Sequence, residues 1–205
     1  MVIELKKIVI TGAYGQVGFC LTQQAQANGW DVLAIDRDKL DITDPQAVNA
    51  LVKEYQPDVI INAAAHTAVD KAETEIDASY AINRDGPKYL AEAAASVGAA
   101  ILHISTDYVF AGDKDGIYSE ADPVAPQGIY GASKLAGEEA LTAQRGVPCR
   151  SISTTGTCRC CRRTASALQR ENSAHRPLAC AGMTTSSQSS SSATSRIEKT
   201  SSPCR

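Results

Sequence analysis

Four short apolar runs recur along the first hundred or so positions, and each ends in glycine, alanine or small polar residues. Ile8-Val9-Ile10, the stretch Asp31 to Asp36, the stretch Asp58 to Asn62 and the stretch Ala99 to Ile104 are apolar without strict alternation. That pattern marks strands buried on both faces, as in the middle of a parallel sheet. Helical segments separate them. One runs from about Gly15 to Asn28. A second runs from Pro45 to about Tyr55, with Asp44 as its N-cap and Pro45 in its first turn. A third covers roughly Asp77 to Val97, with an interruption expected near Gly86-Pro87 and a stop at Gly98. A fourth opens at Tyr130 and ends near Ala143. Alternating strands and helices predict an α/β fold with a parallel sheet.

The first strand runs into Gly12, Gly15 and Gly18, spaced Gly-x-x-Gly-x-x-Gly. Gly12 suits a tight turn, Gly15 lets backbone lie against a pyrophosphate, and Gly18 lets the next helix pack close to the strand. The helix N-terminus then presents N–H groups to an anion. An ordinary strand-to-helix turn is the plainer alternative. The second strand tips the choice by ending on Asp36, 18 residues beyond the last glycine, where a ribose-binding carboxylate belongs. The domain expected for residues 1–145 is a Rossmann-like, doubly wound parallel sheet that binds NAD(P). Asp36 favours NADH, whereas Arg37 beside it suits the 2′-phosphate of NADPH, so both cofactors stay open. Asp41 and Ile42 flank the adenine position. Ala63-Ala64-Ala65 end the third strand, where small side chains admit either an extended ligand or tight core packing. His66, Thr67 and Asp70 read as surface loop residues.

Composition divides the chain in two. Residues 1–143 hold 10 basic and 21 acidic side chains, a net of −11, and residues 144–205 hold 10 and 2, a net of +8. All aromatic residues lie at or before Tyr130, and six of the seven cysteines lie at or after Cys149. The acidic front portion argues against a nucleic-acid partner. No apolar run is long enough to span a membrane. Met1 to Lys7 lead straight into the first strand and leave no room for a signal peptide. The lone Cys20 of the front portion fits a reducing, cytoplasmic setting.

Tyr130 and Lys134, four apart on one helix, face the same space. A phenol titrates near pH ~10, and a neighbouring ammonium is expected to lower that value and make Tyr130 a proton donor or acceptor near neutrality. Thr106 ends the fourth strand and can hydrogen-bond a substrate oxygen beside the phenol. A Tyr-x-x-x-Lys pair alone is weak. Behind a glycine loop and a Ser-Thr strand end, in this order, it points to an extended short-chain reductase.

The blocks Gly12–Gly18, 62–73, 105–110 and 130–138 resemble dTDP-4-dehydrorhamnose reductase over residues from about 5 to 143. The resemblance implies reduction, by NADPH or NADH, of the C4 ketone of dTDP-4-dehydrorhamnose to dTDP-L-rhamnose for surface polysaccharide. It implies that Gly15, Gln16 and Val17 cradle the pyrophosphate, within a loop framed by Gly12 and Gly18. Asp36, Asp41 and Ile42 would hold the adenosine end, and Ala65, His66 and Thr67 would line the cofactor, which Tyr130 and Lys134 also touch. Thr106 and Asp107 would face the nucleotide sugar. Catalysis would rest on Thr106, Tyr130 and Lys134, with Tyr130 giving the proton as hydride reaches C4. A homodimer belongs to the intact family, and no metal is implied. The alternative is a non-catalytic NAD(P)-binding regulatory subunit of the same fold, similar to that of methionine adenosyltransferase.

Beyond about residue 143 the resemblance ends. Residues 146–205 are rich in Ser, Arg and Cys, lack aromatics and carry no helix or sheet period. They are expected to be disordered or out-of-frame translation in place of a substrate-binding lobe, with the sheet truncated and activity impaired. Cys158, Cys160 and Cys161 are spaced too tightly for a usual zinc site.

Overall fold

The computed structural model describes residues 6–115, 117–119, 121–144 and 148–152. All of them fall within the first of the chain's two structural units, Met1–Glu171. The expected alternation is present. Strand β1 (Lys7–Thr11) leads to helix α1 (Gln16–Ala27), β2 (Asp31–Ile35), α2 (Pro45–Tyr55) and β3 (Val59–Asn62). Two short helices follow, α3 (Val69–Ala72) and α4 (Ile76–Tyr80). A π turn (Ala81–Asp85) runs into α5 (Gly86–Val97), β4 (Ala100–Ile104), a 3₁₀ turn (Asp107–Val109), α6 (Ile129–Ala143) and β5 (Cys149–Ile152). The strands lie in the order β2-β1-β3-β4-β5, and every pairing is parallel. The order reverses between β1 and β3, and clefts in such sheets open at the carboxyl ends of the strands flanking that switch.

Period-two side-chain direction sorts the apolar runs between two cores. Val9, Ile60 and Ile101 share one cluster with Val48 and Val52 of α2, Leu90 and Ala94 of α5 and Leu141 of α6. Their neighbours Ile8, Ile10 and Ile61 fall in the second cluster, against Leu21 of α1. This is why the strand sequences read as unbroken apolar runs. Asp44 caps α2 as expected, its carboxylate accepting the N–H groups of Gln46 at 2.9 Å and Ala47 at 3.2 Å. Gly98 ends α5 in the left-handed conformation, φ +73°.

The interruption expected near Gly86-Pro87 is a π turn at Ala81–Asp85, directly before Gly86 and Pro87 begin α5. Two local expectations need correction. The stretch after β3 is not an exposed loop throughout: Val69–Ala72 is helical and His66 is mostly buried. A fifth strand, Cys149–Ile152, pairs with β4 from Ile101 to Ile104, although its own sequence lacks an apolar period. Pairing to a preformed edge supplies backbone hydrogen bonds that side-chain pattern does not reveal. The rest of the expected tail, with Cys158, Cys160 and Cys161, lies outside the described residues.

Candidate active site

Gly12 turns out of β1 with φ +65°, and a Cβ there would lie 2.6 Å from the backbone nitrogen of Ala64. Gly18 is tighter still, since its Cβ would meet the Gly12 carbonyl oxygen at 2.1 Å. Both glycines are required by backbone packing. Gly15 differs, because a Cβ there would touch only the Gly12 oxygen at 3.4 Å. It lies beside a cleft of about 760 Å³. Helix α1 starts after Gly15 without any side-chain cap, so its first-turn N–H groups and positive dipole end are left for an anion.

The cleft gathers every residue expected at the cofactor except the helix α6 pair. Gly12, Gly15, Gln16, Val17 and Gly18 form one wall; Asp36, Asp41 and Ile42 form the second; Ala65, His66 and Thr67 form the third. Arg37 lines it as well. Asp36 stands just past β2, where one carboxylate oxygen accepts the Tyr14 N–H at 3.1 Å and the other the Arg37 N–H at 2.8 Å. It therefore ties the glycine loop to the second strand. Asp41 accepts both the N–H and the hydroxyl of Thr43, at 2.9 and 2.7 Å, and these bonds hold its carboxyl below the usual range. Sequence reading missed Leu40, Ala78, Ala81 and Ile82, which also line the cleft. The last two are carried there by the π turn, which has no composition signal.

His66 is fixed from three sides. Its N–H donates to Asn83 Oδ1 at 2.8 Å, its carbonyl accepts Asn83 Nδ2 at 3.1 Å, and its Nδ1 lies 3.0 Å from Ser79 Oγ. Asn83 Nδ2 also donates to Ser133 Oγ at 3.0 Å, and Ser133 donates to the Tyr130 carbonyl at 2.8 Å. The fully buried Asn83 thus links the cleft wall to helix α6.

Thr106, Asp107, Tyr130 and Lys134 are not part of the cleft lining; the first two follow β4 and the last two lie in the first two turns of α6. The Thr106 hydroxyl donates to Asp107 Oδ1 at 3.2 Å and accepts the Tyr108 N–H at 3.3 Å, and the Tyr108 ring meets the Tyr130 ring edge-on with centroids 5.5 Å apart. The expected lowering of the phenol does not occur. Burial raises the Tyr130 pKa, the nearby Thr106 hydroxyl opposes that rise, and the nearby Asp107 charge adds to it. Lys134 is 1% exposed. Its Nζ donates to the Ile104 carbonyl at 2.6 Å and lies 3.3 Å from His103 Nε2. Burial pushes Lys134 down to about 8, against the opposing charge of Glu138. Glu138 itself accepts a short hydrogen bond from the Ser105 hydroxyl. Among the described residues no cluster of His, Cys, Asp and Glu is arranged to hold a metal, and no helix is long and apolar enough to cross a membrane.

Residues 6–149 match the family model of the RmlD substrate binding domain. A dTDP-4-dehydrorhamnose reductase of Mycobacterium tuberculosis (strain CDC 1551 / Oshkosh) is 49% identical over 142 residues, covering 67% of this chain and 46% of the relative. One from Aggregatibacter actinomycetemcomitans is 48% identical over 138 residues, covering 67% and 47%. The chain spans about half the length of the curated relatives it matches. Among solved structures, a dTDP-4-dehydrorhamnose reductase of Clostridium acetobutylicum superposes with a TM-score of 0.69 at 47% identity, covering 72% of this chain and 52% of that one. Another from Bacillus anthracis, in complex with NADP, gives 0.70 at 40% identity, covering 73% and 53%. The match runs through the glycine loop, the cleft and the Tyr130–Lys134 helix, and the chain belongs to the RmlD substrate binding domain family.

Proposed function

We propose that these residues form the cofactor-binding half of an NAD(P)H-dependent reductase that converts the C4 ketone of dTDP-4-dehydrorhamnose to the alcohol of dTDP-L-rhamnose. The observation that carries this reading is the placement of Thr106 at the carboxyl end of β4, where the Tyr130 ring lies against Tyr108, on the side of the sheet where the glycine-loop cleft opens. The cleft suits the cofactor. The uncapped start of α1, at Gly15, Gln16 and Val17, takes the pyrophosphate. Asp36, Asp41 and Ile42 receive the adenosine end, and Ala65, His66 and Thr67 line the path toward Tyr130 and Lys134. Thr106 and Asp107 meet the sugar.

Bound NAD(P)H supplies a hydride to C4. Tyr130 donates its phenolic proton to the C4 oxygen, leaving a phenolate that is reprotonated from solvent. The raised phenol serves that direction, since Tyr130 stays protonated throughout the neutral range. The test compares Tyr130→Phe with the parent, both as the 205-residue chain and joined after residue 144 to the C-terminal half of the Clostridium acetobutylicum relative. NADPH binding should be nearly unchanged, and turnover of the keto sugar should fall by about 10² or more. Equal turnover in the two proteins, or no NADPH binding by either, overturns the reading.

A further inference from the structure

Thr11, Asn62 and His103 occupy matching register positions on the adjacent strands β1, β3 and β4. All three are polar, and none is more than 2% exposed. They form one hydrogen-bonded row across the sheet. It starts at Thr11, which lines the cleft, and ends at Lys134 on α6. Proton directions along this row are set by its one unambiguous donor. The Ala64 backbone N–H points at Asn62 Oδ1 at 3.1 Å, and the Thr11 hydroxyl donates to the same oxygen at 2.7 Å. Asn62 must therefore present its NH₂ group to His103 Nδ1, 3.0 Å away. An imidazole nitrogen that accepts carries no hydrogen. His103 is neutral in this buried position, so its single hydrogen sits on Nε2, and that N–H faces Lys134 Nζ.

An ammonium has no lone pair to receive it. We propose that Asn62 and His103 are positioning residues whose fixed tautomer favours the neutral amine of Lys134 over its ammonium in the protein without ligand. One amine hydrogen goes to the Ile104 carbonyl, the lone pair accepts His103 Nε2–H, and one hydrogen remains for a ligand oxygen. The consequence for catalysis rests on the reductase reading above; the protonation state does not. Other charged or titratable groups around the amine are Glu138 on the same helix, held by Ser105, and Tyr130 one turn back, with Asp107 beside it. Glu138 favours the charged amine. Burial, which pushes both Lys134 and His103 down, favours the neutral pair.

The test uses the 205-residue chain without cofactor or substrate, so a failed reductase reading leaves it intact. Long-range proton–nitrogen NMR reads the His103 tautomer, and Lys134 is titrated through its side-chain methylene signals, assigned by their loss in Lys134→Met. The wild type should show hydrogen on Nε2 and a Lys134 midpoint below that of the surface lysines. Asn62→Asp keeps both accepted bonds but turns a carboxylate oxygen toward Nδ1. It should move the hydrogen to Nδ1 and raise the Lys134 midpoint by about one pH unit or more. In a His103→Leu background the same change should raise Lys134 much less, through the added carboxylate charge alone. Hydrogen on Nδ1 in the wild type overturns the proposal, and that spectrum decides even where the variants do not fold. So does an unreversed tautomer in Asn62→Asp, a reversal without a rise in Lys134, or a rise of equal size without His103.

Discussion

Gly137 of α6 lies directly on the π turn: a Cβ built there would stand 2.1 Å from the backbone oxygen of Asn83. Helix and turn touch backbone to backbone, which seats Asn83 between His66 and Ser133. In an exposed helix, alanine is favoured over glycine by about 1 kcal/mol. Here the sign should reverse. Gly137→Ala is expected to lose about 1–3 kcal/mol through overpacking against a backbone that cannot yield. A denaturant midpoint at or above that of the parent would show that the contact relaxes.

The cap on α2 offers a cleaner measurement. Asp44 is exposed and its carboxylate serves two first-turn N–H groups. Asp44→Ala should cost about 1 kcal/mol, and Asp44→Asn much less, because the amide oxygen accepts the same bonds. Equal losses for the two would point to charge at the helix end, not to the hydrogen bonds.

Cofactor choice should divide between two adjacent side chains. Both Asp36 oxygens already hold backbone N–H groups, whereas exposed Arg37 lines the cleft beside it. Arg37→Ala is expected to weaken NADPH binding by about tenfold, the worth of a charge-assisted hydrogen bond. NADH affinity should hold. Parallel loss of both cofactors in fluorescence titrations would remove Arg37 from the phosphate site.

Stability should climb on the alkaline side. Lys134 titrates at about 8 in the folded chain against an ordinary 10.5. Below about pH 8 both states carry its proton, and the cost of burying the charge is fully present. From about pH 8 to 10.5 only the unfolded chain holds the proton, so folding stability rises with pH. Tyr130, raised by burial, and Tyr55, pushed up to about 12, act in the opposite sense once the pH passes about 10. The informative window is therefore pH 8 to 10. There the stability difference between parent and Lys134→Met should shift in favour of the parent as pH rises. A pH-independent difference would mean that Lys134 keeps an ordinary affinity for its proton.

Much of this molecule was legible because its signals are local. Unbroken β-branched runs demand burial on both faces, so β1, β3 and β4 could be placed within a residue or so. Asp44-Pro45 and Gly98 bound their helices through backbone chemistry that needs no tertiary partner. Gly12 and Gly18 follow from a turn that excludes Cβ atoms, and the eleven residues expected along the cleft, away from the α6 pair, do line it. The Tyr-x-x-x-Lys spacing correctly joined Tyr130 to Lys134 on one helix, but not the electrostatics of the pair. Whether an ammonium lowers a phenol depends on what else surrounds both groups. Burial raised Tyr130, and Lys134 turned its nitrogen to Ile104 and His103.

Only the tertiary structure decided the features made by residues distant in sequence. The π turn brings Ala81 and Ile82 to the cleft because α6 presses on Asn83 through a glycine 54 positions later. Strand β5 exists because β4 offers an edge to pair with, whatever the period of its own four residues. The row Thr11, Asn62 and His103 is invisible in the sequence, since register between strands about 40 to 50 residues apart places those side chains together. Local pattern sets which segments are strands and helices, because propensity and burial act within a turn or two. Pairing register and helix docking set which polar groups meet, and those meetings fix the protons.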